Sequence, residues 1–140
     1  YDDPLNCQVR AIRPLKARFL NSIIFGSLRD EIELIDIAGG QERGLFDVLF
    51  QNSVVKVQEL LTERDNLYAN FFEDICNPCI NGESMSPLFV EPDEDDYHLD
   101  SLSIARDLAK PVFFPRPIPN DLEGKRRDGE APDAGCYEWK

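Results

Sequence analysis

Apolar residues recur at steps of three and four along most of the first 110 positions, the spacing that lines one face of a helix. Val9, Ile12, Leu15, Phe19, Ile23 and Ile24 predict a first helix, with Pro14 suited to its opening turn. Gly26-Ser27 interrupts it. Ser27 followed by Asp30 and Glu31 predicts a second start, carrying Ile32, Leu34, Ile35 and Ile37 until Gly39-Gly40 stops it. A third helix is expected from Gln41-Glu42 through Leu45, Phe46, Leu49 and Phe50. Val54, Val57, Leu61, Tyr68, Phe71 and Ile75 then fall near heptad spacing and predict a helix over 53–76, the strongest periodic segment.

Residues 80–97, rich in Gly, Ser, Pro and acids, read as a loop. Asp100 to Ala109 reads as one more short helix, ended by Pro111. Four prolines between Pro111 and Pro119 predict extended chain, and 121–140 shows no periodicity. No internal repeat is read. A single helix over 42–76 would reach about 50 Å and leave much of its apolar face uncovered, which favours shorter helices. The expectation is therefore all-α: a small up-and-down bundle of about four helices plus one short helix. The bundle would span 1–110, including the acidic loop 80–97, with an extended Pro-rich C-terminal arm over 111–140.

Charge sharpens this picture. The 140 residues carry a formal charge of −12, which opposes a nucleic-acid or anionic-membrane footprint. The acidity is concentrated. Residues 83–107 hold 8 acids against Arg106 alone, a net of −7, whereas 1–82 net −5 and 108–140 balance at 6 and 6. No apolar run approaches the roughly 20 residues of a membrane-spanning helix. Tyr1 in place of an initiator Met points to a processed protein or a fragment.

Four cysteines, an even number, suit an oxidising compartment: thylakoid lumen, periplasm or extracellular space. Cys76-Asn77-Pro78-Cys79 has redox-motif spacing, but an attacking thiolate needs a helix N-terminus or cationic neighbours. The predicted position is a helix C-terminus beside Glu73 and Asp74, so Cys7, Cys76, Cys79 and Cys136 are read as structural disulfide cysteines. Zinc would need two compact ligand pairs, and Cys7, Cys136 and His98 are scattered singly, so no metal or other cofactor is expected.

Other motifs dissolve on inspection. Asp36-Ile37-Ala38-Gly39-Gly40-Gln41-Glu42 has one glycine too many for a GTPase switch, and no phosphate loop precedes it. His98 lacks any nucleophile motif. Arg10, Arg13, Lys16 and Arg18 form a basic patch, read as a helical face that meets the 93–96 acids or an acidic neighbour. With no catalytic constellation, the expected function is non-catalytic: an accessory or extrinsic subunit docking on a larger, membrane-associated assembly, without inserting into the membrane. Asp93, Glu94, Asp95 and Asp96 would supply the charged docking face, and Phe113, Phe114 and Trp139 the anchors on the arm. In architecture such a protein is similar to the small helical extrinsic subunits of photosystem II in the thylakoid lumen. The alternatives are a thiol–disulfide redox protein using Cys76 and Cys79, or a secreted helical binding protein or effector.

Overall fold

The computed structural model describes residues 13–36, 39–42, 44–62, 66–112 and 116–139. It replaces the expected helical bundle with short strands and irregular chain. The strands are β1 (Leu15–Leu20), β2 (Ile23–Ile24), β3 (Phe46–Gln51), β4 (Ser53–Val55), β5 (Cys79–Asn81), β6 (Phe89–Glu91) and β7 (Asp96–Leu99). Among the described residues the only α-helix is α1 (Phe71–Asp74), a single turn.

The strands of the first half stack in parallel. β1 pairs with β3 from Leu15↔Phe46 to Leu20↔Gln51, and β2 pairs with β4 at Ile23↔Val54 and Ile24↔Val55. Every one of these pairs is separated by 31 residues. A third layer follows at a separation of 26, with Phe50↔Cys76, Ser53↔Cys79, Val54↔Ile80 and Val55↔Asn81. The result is three rungs, 15–24, 46–55 and 76–81, in the manner of a short parallel solenoid. The sequence does contain a repeat: Phe19-Leu20-Asn21-Ser22-Ile23-Ile24 returns as Phe50-Gln51-Asn52-Ser53-Val54-Val55. At each corner an asparagine takes a positive φ, 54° at Asn21 and 50° at Asn52, which a short polar side chain tolerates better than most.

Each helix prediction fails for a physical reason. Leu15, Ala17 and Phe19, like Phe46, Val48 and Phe50, alternate with period two, so the steps of four also fit strands. Residues 27–36 are irregular, pinned when the Asp30 carboxylate accepts the backbone N–H groups of Gln58, Glu59 and Leu60. The predicted helix 53–76 opens as β4, where Val54 and Val55 favour a pleated, buried surface. Among its described residues only Phe71–Asp74 are α-helical. Residues 100–109 form turns whose backbone bonds the tail: Ala134 N–H to Ala105 O at 2.9 Å and Ala109 N–H to Pro132 O at 2.9 Å. Gly39 and Gly40 do mark a turn, both at positive φ, but no helix precedes it among the described residues.

Two apolar clusters result. One gathers Ile32, Leu34, Phe50, Val55, Val57, Leu60, Tyr68, Phe71 and Cys76. The other gathers Val54, Leu88, Leu99, Ala105, Ala109 and Ala134. Val54 and Val55 are fully buried on opposite sides of β4, the middle strand of β2-β4-β5, so one strand faces both clusters. Beyond the rungs, β6 and β7 form an antiparallel hairpin. Residues 116–139 do not stand away as an arm. They return to the first rung, where Gly135, at φ 92°, donates to Asn21 O at 2.8 Å.

Candidate docking cleft

The acid run of the sequence becomes the tip of the β6–β7 hairpin. Pro92–Glu94 form a 3-10 turn, and Asp95 closes it in the left-handed conformation at φ 61°. Asp93, Glu94 and Asp95 are exposed and make no ion pair among the described residues. Asp96 points the other way along the hairpin. Its Oδ1 accepts the His98 backbone N–H at 3.0 Å and meets His98 Nδ1 at 2.5 Å.

His98 is the hub of this region. Its Nε2 lies 3.3 Å from Glu123 Oε2, and its ring stacks on Tyr137 with centroids 4.2 Å apart. The hydrogen bond to Asp96, then that to Glu123, raises the imidazole above its ordinary pKa of 6.5. Protonated, the ring holds β7 to the C-terminal segment through Glu123, while Asp96 on its own strand orients it. Tyr137 is raised in turn, by desolvation first and then by the acidic groups around it.

Between hairpin and tail lies a cleft of about 400 Å³ lined by Val90, Asp96, His98, Leu99, Ser101, Glu138 and Trp139. Trp139 is 39% exposed, and the Arg106 guanidinium sits 3.7 Å from its ring centroid, a cation–π contact. Val90 is 49% exposed at the rim. The tail that carries Trp139 is fixed from beneath. Arg127 donates to Asp133 O at 3.1 Å, Gly135 O at 2.8 Å and Glu138 Oε2 at 3.1 Å, while Asp133 Oδ2 accepts the Trp139 N–H at 2.6 Å.

Asp96, His98 and Ser101 share this cleft, yet they do not form a hydrolytic triad. A general base must present a free Nε2 to the nucleophile, and here Nε2 faces Glu123. The Ser101 hydroxyl points to Asp100 Oδ1 instead, 3.5 Å away. No group of three His, Cys, Asp or Glu side chains among the described residues is arranged to hold a metal ion.

The remaining expected site residues are dispersed. Cys76 and Cys79 are bonded, with Cα atoms 5.4 Å apart, directly after α1 ends; Cys76 lies in the core. Cys136 is exposed and unbonded, and Cys7 lies outside the described residues. Arg13, Lys16 and Arg18 lie in or beside β1, a strand and not a helix. Arg18 Nη2 bonds Asp47 Oδ2 at 2.7 Å, with Lys16 at 3.9 Å, so the partner of this patch is Asp47, on β3, and not the 93–96 run. Arg10, Phe113 and Phe114 lie outside the described residues. Of the expected docking set, the fold joins Asp96 and Trp139 in one cleft with Asp93, Glu94 and Asp95 on the adjoining tip. Val90, His98, Glu123 and Arg106 were not foreseen. A hint existed in Asp96-Tyr97-His98, where alternation on a strand puts the acid and the imidazole on one face.

The chain matches no family model, no curated protein and no solved structure.

Proposed function

We propose that this chain is a non-catalytic docking module that seats a basic, aromatic- or aliphatic-containing segment of a larger assembly in the cleft between the hairpin and the tail. The observation that carries this reading is the pairing of three unneutralised carboxylates at the hairpin tip with exposed apolar surface at Val90 and Trp139. Charge at the tip draws a cationic partner and sets its orientation, while the apolar cleft supplies desolvation once it is seated. The disulfide is compatible with an oxidising compartment, and no helix among the described residues is long and apolar enough to cross a membrane. The likeness to helical photosystem II subunits loses its basis with the helices. The redox alternative gains nothing from a Cys76 sulfur sealed in the core, where burial opposes a thiolate.

Trp139 is the only tryptophan and reports directly on the cleft. Synthetic peptides with Lys/Arg residues flanking a Leu or Trp should change its fluorescence saturably, with affinity falling as salt rises. The triple variant Asp93→Asn, Glu94→Gln, Asp95→Asn should weaken binding and flatten the salt dependence. Absence of saturable binding at low salt, or equal binding by the triple variant, would refute the reading.

A further inference from the structure

β1 is the open edge of the rung stack. It pairs with β3 on one side, and among the described residues no strand lies on the other. In a parallel ladder each residue sends its N–H and C=O to one neighbour, and alternate residues face opposite ways. Leu15 donates to Leu45 O at 2.8 Å and Asn21 to Gln51 O at 3.0 Å, so the odd positions face β3. Lys16, Arg18 and Leu20 therefore turn their N–H groups outward. Phe19 stacks on Phe50, centroids 4.6 Å apart, yet remains 42% exposed because its other side is open.

We propose that the free edge of β1 is a strand-addition site for an extended segment of a partner protein, alternating in apolar residues and carrying an acid set against Lys16 and Arg18. The chemistry of the occupant is read from the neighbour already seated. On β3, Phe46, Val48 and Phe50 register with Leu15, Ala17 and Phe19, and Asp47 registers with Lys16 and accepts Arg18. The same strand offers its second edge with the same side chains. Lys16 is 74% exposed and only at the limit of ion-pair distance from Asp47, so its charge is largely unspent. Arg13, also exposed, has no ionic partner among the described residues. Cations on an edge strand repel basic strands and discourage indiscriminate pairing, which leaves an acidic strand as the fitting partner. A second copy fits poorly. β1 against β1 would oppose Lys16 and Arg18 with their own copies, and each chain carries −12.

The probe is a labelled peptide with the sequence of residues 45–52, titrated onto the whole chain, with amide exchange read residue by residue. Saturable binding that weakens with salt, with new protection at Lys16, Arg18 and Leu20, is expected. Lys16→Pro removes one outward donor without touching a backbone bond to β3, losing there only the long Asp47 ion pair, and should weaken binding about tenfold or more at nearly unchanged thermal midpoint. Lys16→Glu, which leaves the backbone intact, should weaken it severalfold, and a peptide with Asp replaced by Lys should not bind. The hairpin triple variant should bind this peptide normally, which separates the edge from the cleft. No saturable binding, or binding indifferent to both Lys16 variants, overturns the proposal. So does concentration-dependent self-association abolished by Lys16→Pro, since the occupant would then be a second copy.

Discussion

The rung stack and the C-terminal segment are held together by different means. Rungs 15–24, 46–55 and 76–81 are joined by backbone ladders over a buried apolar cluster centred on Phe50, Val55 and Phe71. Residues 116–139 contain no strand or helix and rest on carboxylates that accept backbone N–H groups. Asp121 takes those of Glu123, Lys125 and Glu138; Asp128 takes those of Glu130 and Ala131; Asp133 takes those of Asp107 and Trp139. Burial is non-directional and indifferent to salt or moderate pH changes, whereas such networks are geometric and tied to protonation. The molecule thus joins a scaffold that resists its surroundings to a lobe that responds to them. The candidate docking cleft lies on the responsive side.

The difference can be broken at several points. The largest effect is expected from Phe71→Ala, which empties a fully buried site in the rung core. Loss of about 3–5 kcal/mol should appear in the denaturant midpoint of the whole chain. Glu138→Ala should cost less, about 1–3 kcal/mol, by removing the carboxylate that pairs with Arg127 and accepts the Asp128 and Asp133 N–H groups. Hydrogen exchange should rise mainly in 116–139, and equal acceleration across the rungs would contradict the division.

Asn21 stands at the seam. It turns the first rung at positive φ, its side chain bonds the Lys110 N–H and C=O, and its own C=O accepts Gly135. Asn52 turns its rung and donates its N–H to Pro78 O at 2.6 Å, but its side chain makes no such bond among the described residues, so Asn52→Gly should be nearly neutral while Asn21→Gly should cost about 1 kcal/mol through the lost side-chain bonds. Equal midpoints for the two variants would show that the seam carries no load.

The subtlest test is pH. Because the folded state raises the His98 pKa, its contribution is fully present below about pH 6.5 and is lost as pH rises through the folded-state value above it. Deprotonation also leaves Asp96 and Glu123 facing a neutral ring. Protection of 116–139, taken relative to the intrinsic exchange rate at each pH, should fall as pH rises above 6.5 in the native protein, and His98→Gln should remove that loss. The acid side runs oppositely. Backbone N–H groups of Ala131 and Glu130 lower the Asp128 carboxyl, so its support is present above its ordinary value of 3.8 and fades as pH falls through a lower one.

Core membership was largely legible in the sequence, while the elements that carry the core were not. Of the predicted stripe, Val54, Val57, Tyr68 and Phe71 are buried, while Leu61 and Ile75 are only partly so. Their near-heptad spacing is coincidental, because 56–62 and 67–70 are turn and irregular chain and each residue reaches the core by its own route. The decisive signal was non-local. Parallel pairing across 31 residues leaves no short-range trace except the repeated Phe-x-Asn-Ser followed by two β-branched residues, which a search for helical periods passes over. The sequence marks Cys76 and Cys79 as disulfide cysteines at a helix end that Pro78 cannot continue, but it leaves their pairing open, and Cys136, expected to be bonded, is free. Nothing in the sequence marks His98 as a hub, since Glu123 approaches it only through the tertiary fold.

Val54 and Val55 have one further consequence. Adjacent residues of a single strand serve as the common wall of two hydrophobic interiors, so neither interior can open without displacing the other's lining. Thermodynamically, the rungs and the Leu88–Leu99–Ala105 cluster should share one melting event although they exchange few residues. A ligand seated at the hairpin would then be felt, through β4, as added stability in rungs it never touches.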